Sequence, residues 1–213
     1  NFNGVNYFLI NNHFKCCGDG NLDLTNDSDE EKRRYDAINL LREYIDENLS
    51  NQNVIVLGDL NDDIAESQIN NVFQLIINDP NYEFVDYQIA SGSSSDWSFP
   101  NWPSHLDHIL VTDELFDELM YSQVETIKLD QYIDGGWNEY DYNISDHRPV
   151  FMQLAQNVIL GDVSGDGAIN ILDVVMIVQI VIGNDEIVQS ADFNSDGYIN
   201  ILDVVQLIQI IIS

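Results

Sequence analysis

Basic residues are scarce in this chain. Seven Lys and Arg stand against 37 Asp and Glu in 213 residues, for a formal net charge of −30. Without a basic stripe, raw charge does not steer nucleic acid to the chain, and a nuclease of this composition needs divalent cations to screen its field. The plain reading of such acidity is solubility in a salty or calcium-rich medium. Cysteine is nearly absent as well. Cys16 and Cys17 are adjacent, and three states are open to them: a strained vicinal disulfide, two thiols, or pairing with cysteines upstream. As metal ligands they lack companions at useful spacing, and they do not fix a redox compartment. No apolar run is long enough to span a membrane. The two longest, Ile171–Ile182 and Ile201–Ile212, are about 12 residues each and carry an Asp. No secretory leader is visible. Asn1-Phe2-Asn3-Gly4-Val5 has no Met and runs straight into a strand, so the chain is expected to begin mid-domain.

What the chain does have, in its last quarter, is a repeat. Asp162-Val-Ser164-Gly-Asp166-Gly167-Ala168-Ile-Asn170-Ile171-Leu172-Asp173 recurs 30 residues later as Asp192-Phe-Asn194-Ser-Asp196-Gly197-Tyr198-Ile-Asn200-Ile201-Leu202-Asp203. Each copy sets oxygen side chains at loop positions 1, 3, 5, 9 and 12, with Gly at position 6. That is the spacing of a calcium-binding loop, in which hard oxygens wrap one ion and the glycine makes the sharp turn. The expected Ca2+ ligands are Asp162, Ser164, Asp166, Asp173 and the Ala168 carbonyl, then Asp192, Asn194, Asp196, Asp203 and the Tyr198 carbonyl. Asn170 and Asn200 are expected to act through water. Ser164 is a weaker ligand than Asn194, so the first site is expected to bind more weakly. An apolar helix follows each loop.

Before the repeat, strands and helices alternate. Strands are expected at Val5–Asn11, Asn53–Leu57, Phe84–Ile89, His108–Thr112, Val124–Leu129 and Pro149–Leu154. Helices are expected at Asp29–Asn48 and Ser67–Ile77. In the first helix, Ile38, Leu41, Ile45 and Leu49 form one apolar stripe, leaving Lys32, Arg33 and Arg34 for solvent or a substrate. This pattern predicts a mixed α/β layer. The loop Ser91–Pro103 is too long to be only a connector. Its Trp97, Phe99 and Trp102 either stack on bases or pin the loop, with the second reading slightly favoured.

Four polar clusters lie at strand edges: Asn12-His13, Asp59-Leu60-Asn61, His105-Leu106-Asp107-His108 and Ser145-Asp146-His147. A lone His beside a strand is more often structural, and a single Gly-Asp is usually a turn. Four such clusters together suit phosphate-ester hydrolysis, which needs a positioned water, a metal on the phosphate oxygens and donors for growing negative charge. An Asp–His pair is expected, with Asp107 and His147 as its candidates. His105 is the better functional candidate of the two histidines flanking Asp107.

Asn12-His13-Phe14-Lys15, Gly58-Asp59-Leu60-Asn61, Leu106-Asp107-His108-Ile109-Leu110 and Ser145-Asp146-His147-Arg148-Pro149-Val150 resemble the ordered motifs of the endonuclease/exonuclease/phosphatase superfamily. The repeat resembles a type I dockerin domain. The resemblances imply an endonuclease/exonuclease/phosphatase domain at 1–155, lacking its N-terminal part, a linker at 156–160 and a dockerin at 161–213. The implied fold is a partial four-layer α/β sandwich with a small α-helical domain of paired EF-hand-like loops. His13 would contact the scissile phosphate or act as general acid. Asp59 would orient or deprotonate the attacking water, and Asn61 would bind the phosphate. Asp107 would hold His147, the second phosphate-binding histidine, and Asp146 would ligate Mg2+ or Ca2+. Ile171, Leu172, Ile201 and Leu202 match the positions through which dockerins bind cohesin modules, although they are more apolar than the Ser/Thr often found there.

Together these imply a secreted, metal-dependent phosphodiester hydrolase, endonuclease-like, tethered to a cohesin-bearing scaffold or cell surface. Nucleic acid or another phosphodiester is the expected substrate. The family's Asn on its first strand and its metal-binding Glu would lie upstream of Asn1, so this chain is expected to be catalytically impaired. Two alternatives stand beside this reading: a non-catalytic chain that acts only as a calcium-dependent binding module, and a component of a polysaccharide-degrading assembly.

Overall fold

The computed structural model describes residues 5–119, 122–154, 159–183 and 188–212. The chain divides into two compact units, Asn1–Ala155 and Gln156–Ser213. The expected linker at 156–160 falls largely outside the described residues.

The first unit runs β1 (Tyr7–His13), α1 (Glu30–Asn48), β2 (Asn53–Asp59), α2 (Gln74–Ile77), β3 (Tyr82–Phe84), α3 (Tyr87–Ala90), β4 (Asp107–Thr112), α4 (Phe116–Leu119), β5 (Gln123–Thr126), α5 (Gly136–Asn143) and β6 (Val150–Gln153). Short 3-10 turns lie between several of these. Four strands form one sheet in the order β1-β2-β4-β3, and β5 pairs with β6 in a second. β1 and β2 are parallel, while β4 is antiparallel to both β2 and β3.

The continuous apolar run of β2 follows from its place in the middle of the sheet. Side chains alternate across a strand. Val54 and Val56 therefore join Ile38, Ile45, Phe73 and Leu110 in the main core. Ile55 faces the other way, into a cluster with Ile109, Val111 and Leu115, with Val150 and Met152 of β6 packed against it. A strand buried on both faces has no polar alternation to show. Helix α1 begins where the Asp29 side chain accepts the Lys32 N–H, and Ile38 and Ile45 are its core-facing residues.

Several local expectations change. Arg34 is buried instead of solvent-facing. Its guanidinium pairs with Asp62 at 2.8 Å and Glu31 at 3.4 Å, and donates to the Lys15 and Cys17 carbonyls. It thereby closes the loop after β1. Cys16 and Cys17 are thiols whose sulfurs lie 2.8 Å apart. The helix expected over Ser67–Ile77 is confined to Gln74–Ile77. Asn71, at its head, uses its side chain on the Phe73 N–H and the Ile64 carbonyl, in competition with helical bonding. The strand expected over Phe84–Ile89 stops at Phe84 and turns into α3, because the Asp86 side chain is drawn inward to buried partners.

The second unit contains α6 (Ile171–Val181) and α7 (Ile201–Ile211). Val174, Ile177, Val204 and Leu207 pack between them with Val163 and Ala191. Among the described residues, no helix is long and apolar enough to cross a membrane.

Candidate active site and calcium loops

Strand register builds the site. His13 ends β1, Asp59 ends β2 and Asp107 begins β4, and the three are direct neighbours: His13 pairs with Asp59, and Asp59 with Asp107. Gly58 makes this approach possible. Its φ is +132°, and a Cβ there would lie 2.0 Å from the Asn12 carbonyl oxygen of β1. His13 Nε2 stands 3.5 Å from Asp59 Oδ2, and the His13 side chain is 72% exposed. His147 arrives from the segment before β6, with Nδ1 2.7 Å from Asp107 Oδ2. Ligand atoms of Asp59, Asp107 and His147 all lie within 4.8 Å of one another. Asp146, beside His147, is exposed.

Asn61 takes a left-handed backbone, φ 56°. Its N–H donates to Asp59 Oδ1 at 3.0 Å and its amide to the Phe14 carbonyl at 3.2 Å. One amide hydrogen of Asn61 is thus committed to fixing the turn. The site's titrations are interlocked. Burial, followed by the Asp107 carboxylate, pushes Asp59 above the ordinary carboxylate range. The hydrogen bond that His147 donates to Asp107, with the charges of Asp107, Asp59 and Asp146, raises His147 against the opposing effect of burial. The arrangement sets two groups of raised proton affinity, Asp59 and His147, side by side.

The loop before β4 takes part in the site in an unexpected way. The Phe99 ring packs on the His147 ring with centroids 4.7 Å apart. Trp97 pins the loop by donating Nε1–H to the Ile89 carbonyl. Trp102 is 78% exposed. His105, expected to be the more functional of the two flanking histidines, is fully buried, and His108 is buried beside it. Both contact the Asp86 carboxylate, so neither reaches a substrate. Asp86 and Ser98 were invisible as site residues in the sequence, and Phe99, read there as stacking on bases or pinning the loop, instead packs on His147. The one available signal was a solitary Asp within the apolar run 84–89. A cavity of about 540 Å3 lined by residues such as Ile89, Asp96 and Lys128 lies elsewhere in the unit and contains none of the site residues. The side-chain constellation, not the cavity, locates the chemistry.

In the second unit the two loops have matching hydrogen bonds. Asp162 accepts the N–H groups of Gly165, Asp166 and Gly167, and Asp192 those of Asp196 and Gly197. Asp173 accepts from the Ser164 and Asn170 N–H groups, and Asp203 from those of Asn194 and Asn200. Asn170 and Asn200 cap α6 and α7 through the Leu172 and Leu202 N–H groups. Their amides also donate to the Ala168 and Tyr198 carbonyls. These two residues therefore do local structural work in addition to any contact through water. Ile171, Leu172, Ile201 and Leu202 are all exposed.

The description "Endonuclease/Exonuclease/phosphatase family" belongs to the family model that matches residues 2–147, and "Dockerin type I domain" to the one that matches 160–212. No curated protein matches the chain. The first match extends over more than half of the sequence and contains nearly all of the strand-end constellation. The chain is a member of the endonuclease/exonuclease/phosphatase family, a phosphoesterase-type hydrolase domain joined to a type I dockerin domain.

Proposed function

We propose that this chain is a phosphodiester hydrolase of the divalent-metal kind, with turnover reduced in this chain, tethered outside the cell by its dockerin. The observation that carries the reading is the row His13, Asp59 and Asp107 across three strands, with His147 held on Asp107 at 2.7 Å. Asp59 orients the water and takes its proton as the oxygen attacks phosphorus. His147, protonated on the Asp107 carboxylate, donates to the developing phosphoryl charge, and Asn61 adds its free amide hydrogen. The bond to the leaving oxygen breaks as His13 supplies a proton. Asp146 offers the hard oxygen that Mg2+ takes, and such an ion would neutralise phosphate charge and acidify the water.

The net charge of −30 makes a polyanionic substrate dependent on such cations. Trp102, exposed on the loop before β4, is available for stacking on a base, which favours nucleic acid. Plasmid nicking in Mg2+ is the test. It should stop with EDTA, and Asp59→Asn should lower kcat by about 10²–10⁴. An unchanged Asp59→Asn rate removes the proposal.

The dockerin half supports attachment to a cohesin-bearing scaffold, with two Ca2+ held by the ligands named above. The oxygen-bearing residues repeat at the sequence positions that such a loop uses. A cohesin pull-down that persists in EDTA contradicts calcium-dependent docking. A second reading, attachment without turnover, draws on β1. It is an edge strand whose Leu9 is 67% exposed, and the His13 end of the site lies open. Under that reading, cohesin binding is retained while plasmid remains intact.

A further inference from the structure

Beneath the site lies a buried cluster that the mechanism does not use. Asp86 Oδ2 is 2.6 Å from His108 Nδ1 and 3.0 Å from His105 Nε2, and its Oδ1 accepts the Ile109 N–H at 2.9 Å. The partners fix the protons. His108 Nε2 faces the Asp62 carbonyl at 2.8 Å, so both of its ring nitrogens donate and the ring is a cation. His105 Nδ1 faces the Ser98 N–H at 3.2 Å, so Nδ1 is the lone pair and Nε2 carries the hydrogen. A metal on His105 Nε2 would need that lone pair on the wrong nitrogen. The cluster is a hydrogen-bonded ion pair, although its three side chains are close enough to hold an ion.

Its outlet is Ser98. The fully buried Ser98 is gripped from one side by His105. From the other it holds the backbone of Asp107 and of Arg148, the residue after His147. Its Oγ accepts the Leu106 and Asp107 N–H groups at 3.1 and 3.2 Å, and its carbonyl accepts the Arg148 N–H at 2.7 Å. Leu106 in turn accepts the Leu60 N–H, between Asp59 and Asn61. Phe99, the next residue, lies on the His147 ring. We infer that Asp86, His105, His108 and Ser98 are positioning residues that set the Asp107–His147 hydrogen bond through the backbone of the loop before β4.

The inference rests on the hydrolase reading only for its kinetic readout. The test uses the full chain. Imidazole-selective 15N–1H NMR of the wild type should show two N–H protons on His108 and one, at Nε2, on His105. It should also show a hydrogen-bonded Nδ1–H on His147. Ser98→Ala removes the shared acceptor and leaves the two buried rings and the carboxylate in place. It should retain the His105 and His108 signals while the His147 Nδ1–H signal broadens or vanishes. With bis(p-nitrophenyl) phosphate and Mg2+, kcat should fall at least tenfold with KM within twofold. His108→Gln, with a neutral donor in place of the cation, should show the same His147 change if it folds. A Ser98→Ala protein whose His147 signal is unchanged overturns the inference, as does an Nδ1–H on His105. Absence of turnover in the wild type, with the NMR changes intact, instead counts against the hydrolase reading alone.

Discussion

At the scale of single residues, a glycine and a glutamate carry consequences that are separable from catalysis. Gly58 sits at a backbone angle that L-residues avoid, against the Asn12 carbonyl. Ala at this position should cost about 2–3 kcal/mol, combining backbone strain with separation of β1 from β2. Thermal unfolding should show this as a fall of about 5–10 °C. An unchanged midpoint would mean that the strands tolerate more separation than their register implies. Glu66 is pushed up to about 8 by burial and then by the neighbouring Asp62 carboxylate. A folded-state pKa above the unfolded value means that the folded protein binds the proton more tightly. The associated stability is present below the unfolded value of 4.5 and lost as pH rises through about 8. Denaturant midpoints should decline across that window in the wild type, and Glu66→Gln should flatten the decline. The residues that failed the sequence reading did so for one reason. Arg34 and His105 carry charge or polarity that reads as exposed, yet each is buried on a carboxylate from a distant segment. Those partners are not local, so no window of sequence contains them.

At the scale of elements, legibility followed how local the stabilising interactions are. α1 was readable because its N-cap and apolar stripe lie within its own residues. α6 and α7 were readable because each carries its own capping box. α3 was not, since the chain turns there to bring Asp86 to His105 and His108. The two repeat loops belong to the readable class, and they support a ranking. In the first loop the Ser164 hydroxyl donates to Asp162 Oδ1, whereas the second offers the Asn194 amide oxygen at the same position. Calorimetric titration should therefore find the tighter Ca2+ site lost in Asp203→Ala and retained in Asp173→Ala. The reverse order contradicts the ranking. Each substitution also removes half of a capping box, at a cost of about 1 kcal/mol, so helix content measured by circular dichroism should accompany both titrations.

At the scale of the whole molecule, two separate cores imply two separate responses. The first unit is held by the clusters around Val54–Val56 and Ile55–Val111, the second by the helix pair around Ile177 and Leu207. Scanning calorimetry should show a Ca2+-dependent transition from the second unit. Ca2+ at about 100 times its Kd should stabilise that unit by about 2.7 kcal/mol per site. The transition of the first unit should not move in step with it. A single transition shifted as one by EDTA would show that the two units unfold together.

Consecutive residues alone specify whatever depends on local spacing. The paired Asp/Asn loops, their capped helices and the strand-end motifs all rest on contacts a few residues apart, so spacing alone specifies them. Tertiary structure decided which of the polar residues meet. His13, Asp59, Asp107 and His147 come from four separate stretches, and only the register of β1, β2 and β4 sets the first three side by side. It also sent His105 and His108 beneath the site instead of into it. The electrostatic balance that buries these charged groups depends on partners that only the folded chain assembles.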